Sequence, residues 1–315
     1  MRKWLIALLV LLLVAIAIIY LFIPDTIRVQ REISFTANDR GVRRTLLDRN
    51  TWTRWWPATD SSSAGEDTSI ALFYHNHRYI VDTRKNISPA ISILDNGVTA
   101  STSLNTIPLS GDSLKFSWEG LMITSYNPFS RVRAWFRAKD LKQDMDTILE
   151  KMKNFYINPE NIYGIFIRQE KVVDSFLVTT TAETKTYPDI PFIYALIDRL
   201  KQHVGARSGK ITGYPMMNVS TVDSLNYLLM VALPIDRELA IAPGIVNKKM
   251  MTGAKVLTTE VMGGSTSINH AYQQVSLFVN DYRITAPAIP FFSLITDRTQ
   301  VDTGHWVTKV VFPIM

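Results

Sequence analysis

Twenty consecutive residues without a charge, Trp4 to Ile23 (WLIALLVLLLVAIAIIYLFI), open the hydrophobic pattern of this chain. At about 1.5 Å of rise per residue, a helix of that length covers roughly 30 Å, the thickness of a bilayer core. Arg2 and Lys3 precede it, and Trp4 and Tyr20 stand where interfacial aromatics belong. A cleaved secretory leader has an apolar stretch of about 7–15 residues and small residues at its exit. Here the exit reads Leu21-Phe22-Ile23-Pro24-Asp25. The pattern predicts an uncleaved single-pass anchor, residues 1–25, that meets the lipid bilayer through residues 4–23. The basic amino terminus places the globular part outside the cytoplasm.

Beyond the anchor the period changes. Thr26–Phe35 alternates as a strand, with Ile27, Val29 and Ile33 on one side. Thr36-Ala37-Asn38-Asp39 offers caps for a short helix carrying Val42, Leu46 and Leu47, which gives way to Trp52-Thr53-Arg54-Trp55-Trp56-Pro57. Short β-like stretches follow at Ile70–Tyr74, Arg78–Val81, Ala90–Leu94, Ser113–Met122 and Val132–Phe136. Turn residues such as Asp95-Asn96-Gly97 and Ser110-Gly111-Asp112 separate several of them. A helix from Lys139 to about Phe155 carries Leu141, Met145, Ile148, Leu149, Met152 and Phe155 as one apolar stripe, with Lys and Asp on the other face. This is an α+β order, and the stripe must press onto the sheet.

From residue 160 onward one unit occurs twice, after a linker and first strand over 159–166. In the first copy a strand, Ser175–Thr181, leads to a helix around Pro191–Val204, a strand at Gly213-Tyr214-Pro215-Met216-Met217, and a closing strand, Leu228–Pro234. In the second, Val256–Glu260 leads to a helix around Ser267–Asn280, then Ile289-Pro290-Phe291-Phe292 and a closing strand Trp306–Pro313. The closing strands lie 79 positions apart and the strand-starting Pro215 and Pro290 lie 75 apart. On the helices, Ile193, Leu196, Ile197 and Leu200 align with Ala271, Val275, Phe278 and Val279.

Composition removes several function classes. The 34 basic and 28 acidic residues give a net charge of +6, with no run of five like charges to suggest a nucleic-acid tail. Zero Cys excludes disulfides, zinc ribbons and thiol nucleophiles, and the five His are too dispersed for a compact metal motif. No metal site and no cofactor are expected. His75-Asn76-His77 has the spacing of two ligands on one strand face but lacks an identifiable third, so it reads as a polar turn. Gly263-Gly264-Ser265-Thr266-Ser267 reads as a helix start rather than a phosphate loop. Arg40, Arg43, Arg44 and Arg49 read as a solvated face. Asn86-Ile-Ser88 and Asn218-Val-Ser220 match the glycosylation pattern.

The element order of residues 26–156, with the Asn50–Pro57 segment after the first helix, resembles the START-like or SRPBCC family, the helix-grip fold. That resemblance implies an apolar cavity between sheet and final helix that takes lipids, polyketides or other hydrophobic molecules. Trp52, Trp55 and Trp56 then either anchor the helix end or line the pocket. The duplicated strand-helix-strand-strand layout of residues 160–315 resembles the GyrI-like, AraC-type effector-binding family. Leu257-Thr-Thr-Glu-Val261, His270-Ala271-Tyr272 and Trp306-Val-Thr-Lys-Val310 running into Phe312-Pro313-Ile314 carry it. The resemblance implies a cleft on a pseudo-twofold axis that binds cationic or aromatic small molecules; some members hydrolyse reactive compounds. Where the family places a Glu, before a Leu-Thr-Asp-like segment, this chain has Phe292 in Pro290-Phe-Phe-Ser-Leu-Ile-Thr-Asp297, and repeat symmetry puts Met217 at the matching spot. The cleft is therefore expected to be apolar and to lack a fixed anion. Met217, Tyr272, Phe292, Trp306 and His270 are the candidate ligand-binding residues, with core packing the other reading of Met217 and Phe292.

These features point to a membrane-anchored, non-enzymatic protein that binds a hydrophobic or aromatic small molecule as a sensor or carrier. No helix-turn-helix precedes the duplicated unit, so no nucleic-acid partner is expected. The second reading is a hydrolase or cyclase acting on a hydrophobic small molecule, whose mark would be an acid–His pair facing a pocket. A structural envelope protein is the third.

Overall fold

A computed structural model describes residues 2–57, 61–62, 69–84, 88–95, 98–173, 176–222 and 226–315. Two compact units divide the chain, Met1–Ile162 and Tyr163–Met315. Each is mixed α and β around its own antiparallel sheet.

In the first unit, α1 (Arg2–Phe22) is long and apolar enough to cross a membrane. β1 (Thr26–Thr36) follows, then two short helices, α2 (Asp39–Leu46) and α3 (Arg49–Trp55). Asn38 caps α2 by accepting the Gly41 N–H, and Asp48 caps α3 by accepting that of Asn50. The tryptophan segment is thus a second helix, because Asp48 restarts what the sequence reading let lapse. The sheet is completed by β2 (Ser61–Ser62), β3 (Ser69–Tyr74), β4 (His77–Asp82), β5 (Ala90–Asp95), β6 (Val98–Pro108) and β7 (Ser113–Ile123). Its order is β1-β7-β6-β5-β4-β3-β2. The expected turn at Asn96-Gly97 lies outside the described residues, as does Asn86 of the first glycosylation pattern.

The helix α4 (Pro128–Tyr156) closes this unit and lies against β1 and β7. It corrects one expectation: Val132–Phe136 is not a strand but part of the first turns of α4. Asn127 accepts the N–H groups of Phe129 and Ser130, and Pro128 at the first helical position fixes the start there. The stripe Leu141, Met145, Ile148, Leu149, Met152 and Phe155 is buried. Trp52, Trp55 and Trp56 are buried with it, their rings 4.9 to 6.4 Å apart. Trp56 meets Tyr79 edge-on at 5.2 Å, and Tyr79 lies 6.1 Å from Trp118. These rings occupy core space rather than the rim of a ligand pocket.

α5 (Pro159–Tyr163) ends where the second unit begins, and β8 (Arg168–Lys171) is that unit's first strand, so the expected linker and strand over 159–166 contain a helical turn and the strand comes later. The first copy of the repeat is β9 (Phe176–Thr184), α6 (Ile190–Ala206), β10 (Met216–Thr221) and β11 (Tyr227–Ile235). After β12 (Val246–Lys249), the second is β13 (Lys255–Met262), α7 (Ser265–Asp281), β14 (Phe291–Leu294) and β15 (Val307–Ile314). The sheet order is β12-β9-β11-β10-β14-β15-β13-β8, symmetric about the β10–β14 pair. Register repeats as well: Met217 faces Val231, which faces Thr180, and Phe292 faces Val310, which faces Thr259. The helices start 75 positions apart, so Ile193 corresponds to Ile268, one turn earlier than its sequence match with Ala271.

Gly120 on β7 faces Val29 and Thr102 where the sheet leaves no room for a side chain. A Cβ there would stand 2.3 Å from Thr102 Cγ2 and 2.8 Å from the Ser101 carbonyl oxygen. Gly120→Ala is expected to lower stability by about 1–3 kcal/mol, measured by urea unfolding, and Thr102→Ser in the same chain should restore part of the loss.

Candidate functional site

The β10–β14 ladder is short. Met216 faces Ser293, Met217 faces Phe292, and Asn218 closes the seam by donating its side-chain amide to the Pro290 carbonyl at 2.9 Å. The second glycosylation asparagine is therefore engaged inside the sheet junction. Alternation on the strands turns Met217 and Phe292 toward the helix side. There Met217 joins the core beneath α6, while Phe292 packs on the cores beneath both helices.

Above that seam, between the amino ends of α6 and α7, is a cavity of about 250 Å³. Ile193 and Ile268, the corresponding residues of the two helices, face it, with Met217 and Phe292 forming the floor. Tyr187, Asn269, Arg298 and Trp306 border it as well. Asp189, the N-cap of α6, also borders it and accepts the Phe192 N–H at 2.9 Å. The α7 end differs: Gly264 stands at its N-cap and supplies no side-chain hydrogen bond. A Cβ on Gly264 would lie 2.5 Å from Thr303 Cγ2, which keeps capping side chains out of that position.

Three of the five candidate residues, Met217, Phe292 and Trp306, thus border one cavity. Tyr272 is 36% exposed and packs behind Phe292, ring centroids 6.0 Å apart, and against Phe312 at 5.0 Å. His270 is exposed on α7 and does not border this cavity. Arg298, Tyr187 and Ile268 were not singled out from the sequence and Ile193 only as part of a helix stripe, although Arg298 directly follows the Thr296-Asp297 pair that was named. The opposite face of the sheet carries a second, mostly apolar depression of about 350 Å³, lined by Met216, Met230, Met250 and Phe291 among others. Thr179, Asn218, Lys248 and Lys249 supply its polar edge, and no helix end among the described residues borders it.

A polar site is present in the first unit. His75, Asn76 and His77 of the β3–β4 hairpin, with Arg137, Gln143 and Asp144 of α4, border a cavity of about 580 Å³. Asp144 is only 4% exposed. Its two oxygens bond Nδ1 of His75 and of His77, each at 2.7 Å, and Tyr79 donates to it at 3.2 Å. Placing Asp144 with the solvated charges was therefore wrong: it sits beside Met145 in the buried stripe. His75 holds a left-handed backbone, φ 49°, that turns its ring toward the acid. Burial alone would raise the Asp144 carboxyl, but the bonds from His77 and His75 outweigh it and hold the group below its ordinary value. Burial lifts the Tyr79 hydroxyl above its usual range, with the Asp144 charge adding to the effect. Among the described residues, no group of three or more His, Asp or Glu is placed to hold a metal ion.

No protein-family model matches the chain, and no curated protein matches it. Among solved structures, the EcmrR C-terminal domain is similar at 14% identity and a TM-score of 0.42, over 48% of this chain and 98% of that one. A hydrolase from Listeria innocua gives 8% identity and 0.35, over 47% and 92%. A START superfamily protein from Mycobacterium smegmatis gives 12% identity and 0.28, over 40% and 98%. All three TM-scores lie below 0.5, so the architecture stands on the strand order and register given above.

The depressed Asp144 carboxyl has a signed consequence. A group whose folded value lies below its unfolded one stabilises the fold fully above the ordinary carboxylate range, and that contribution disappears as pH falls through the folded value. The melting temperature should fall between pH 5 and the acid limit, and Asp144→Asn should flatten that part of the curve while lowering the melting temperature at pH 7.

Proposed function

We propose that the chain is a membrane-anchored small-molecule-binding protein whose ligand sits in the cleft between α6 and α7. The observation that carries this is the open cavity at the junction of two copies of one unit, floored by Met217 and Phe292 and walled by Trp306 and Tyr187. Its volume suits a molecule of one or two rings, and an apolar lining with a few polar groups is the usual character of a ligand pocket. The charge-free stretch of α1 supports the anchor: none of its apolar window is buried inside the fold. Tyr20, near its end, donates to the Tyr126 carbonyl, and Arg131 lies over the Tyr20 ring at 4.7 Å while pairing with Asp25. The anchor is thereby fastened to the unit that follows it. The role is that of a sensor or carrier, with the ligand held near a lipid surface and no nucleic-acid partner.

The first test is fractionation, in which the full chain stays in the membrane pellet after a carbonate wash; release into the supernatant overturns the anchor. The second is titration of the detergent-solubilised full chain with neutral naphthalene-2-carboxamide, empty micelles serving as the blank. Saturable binding, weakened about fivefold or more by Phe292→Ala, is expected. Binding unchanged by that substitution removes the cleft as the site.

A hydrolase is the second reading, favoured by the acid–histidine arrangement in the first unit. With Nδ1 held by Asp144, Nε2 of His75 is the ring nitrogen left to take a proton from water, and the side chain is 65% exposed toward the cavity. Ester turnover by the full chain that His75→Ala abolishes would support it.

A further inference from the structure

Among the described residues Arg298 has no acidic partner. One terminal nitrogen donates to Thr308 Oγ1 at 2.8 Å, the guanidinium lies over the Trp306 ring at 4.7 Å, and its backbone N–H donates to the Tyr194 hydroxyl at 2.7 Å. Its Nε is buried without a hydrogen-bond partner. Among the described residues Arg298 forms no ion pair, and the groups that act on its charge are burial and the hydroxyls of Tyr194 and Tyr187. Asp297, next in the chain, directs its carboxylate to the Thr299 N–H and hydroxyl, at 2.9 and 2.7 Å. Asp189, the acid that does border the cavity, gives one carboxylate oxygen to the cap of α6.

A partly desolvated cation with an unused buried donor is costly unless something compensates it. Arg298 borders the same cavity as Phe292, Met217 and Trp306. We propose that the ligand of this cleft is an anion: a flat, apolar acid of one or two rings whose carboxylate or sulfonate pairs with Arg298 while its rings lie on Phe292 and Trp306. A guanidinium offers a planar set of donors that matches a carboxylate, and its stacking on Trp306 fixes the plane in which they point. The α7 end reinforces the preference, since Ser265 borders the cavity and the Gly264 cap leaves the positive helix end without a side-chain acceptor. Burial lowers the pKa of Arg298, yet a guanidinium stays charged at neutral pH. This charge is opposite in sign to the one that would hold a cationic ligand.

The inference rests on the cleft being the ligand site, and one set of ligands separates the two claims. Naphthalene-2-carboxylate, its neutral carboxamide and naphthalen-2-ylmethylammonium are each titrated calorimetrically into the full chain in micelles, against empty micelles. The carboxylate should bind about tenfold tighter than the amide, and the ammonium weakest. Arg298→Gln should remove the preference for the carboxylate over the amide, and Arg298→Lys should recover part of it. If the carboxylate binds no tighter than the amide in the wild type, or the ammonium binds tightest, the anionic ligand is wrong and the cleft stands. If no ligand binds, the cleft itself is wrong and the inference falls with it. Because the wild-type comparison needs no substitution, a variant that fails to fold leaves the test intact.

Discussion

The second unit depends on a seam of a few residues. β10 and β14 are short, yet in the sheet order they join one copy of the repeat to the other. Neither copy can cover its own apolar face alone, since a strand-helix-strand-strand element has one helix for a sheet of three strands. Joining them edge to edge makes one sheet with two helices. Phe292 serves both halves, packing on the cluster under α6 and on the cluster under α7. The cleft lies above the same join, lined from the amino ends of both helices. Met217 and Phe292 at the seam form the floor of that trough.

In the first unit the comparable constraint is α4. Its apolar stripe covers the sheet, and one acid stands in that stripe. Asp144 is tolerated because two imidazoles and a phenol meet it from β4 and the hairpin before it. Removing any one of them would leave a buried carboxylate with fewer donors. The arrangement couples the tip of the β3–β4 hairpin to the middle of a helix 29 residues long. A START-like fold leads one to expect ligand space between sheet and helix; here Trp52, Trp56, Tyr79 and Trp118 are buried together in that layer.

Much of this was legible in the sequence because it was written in period and repetition. The stripe on α4 needed only the 3.6-residue period, and the duplicated unit showed in paired prolines and closing strands. β6 was missed because its Val98–Pro108 run is rich in Ser and Thr, with Ala100, Thr102 and Leu104 alternating as buried positions. Val132–Phe136 was misread because an aromatic, β-branched run looks like a strand until the Asn127-Pro128 start is weighed. The site was half legible. Repeat symmetry located Met217 and Phe292, which face each other across the seam. It gave no sign of Arg298, which comes from the longer loop before β15 that has no counterpart in the first copy. Asp144 was hidden differently, since a charge inside an apolar stripe reads as solvated until its partners, some 65 residues earlier, are seen.

The outer edges of the second unit's sheet have their own consequence. β8 comes before the first copy in the chain but hydrogen-bonds to β13 of the second, and β12 comes before the second copy but bonds to β9 of the first. Each half holds the edge of the other, like two hands each gripping the opposite wrist. The chain cannot be cut between the copies to yield two intact halves, because either fragment would keep a strand that belongs to its sibling and bare an edge of its own. The unit is built from a repeat, but the interleaved order makes it indivisible.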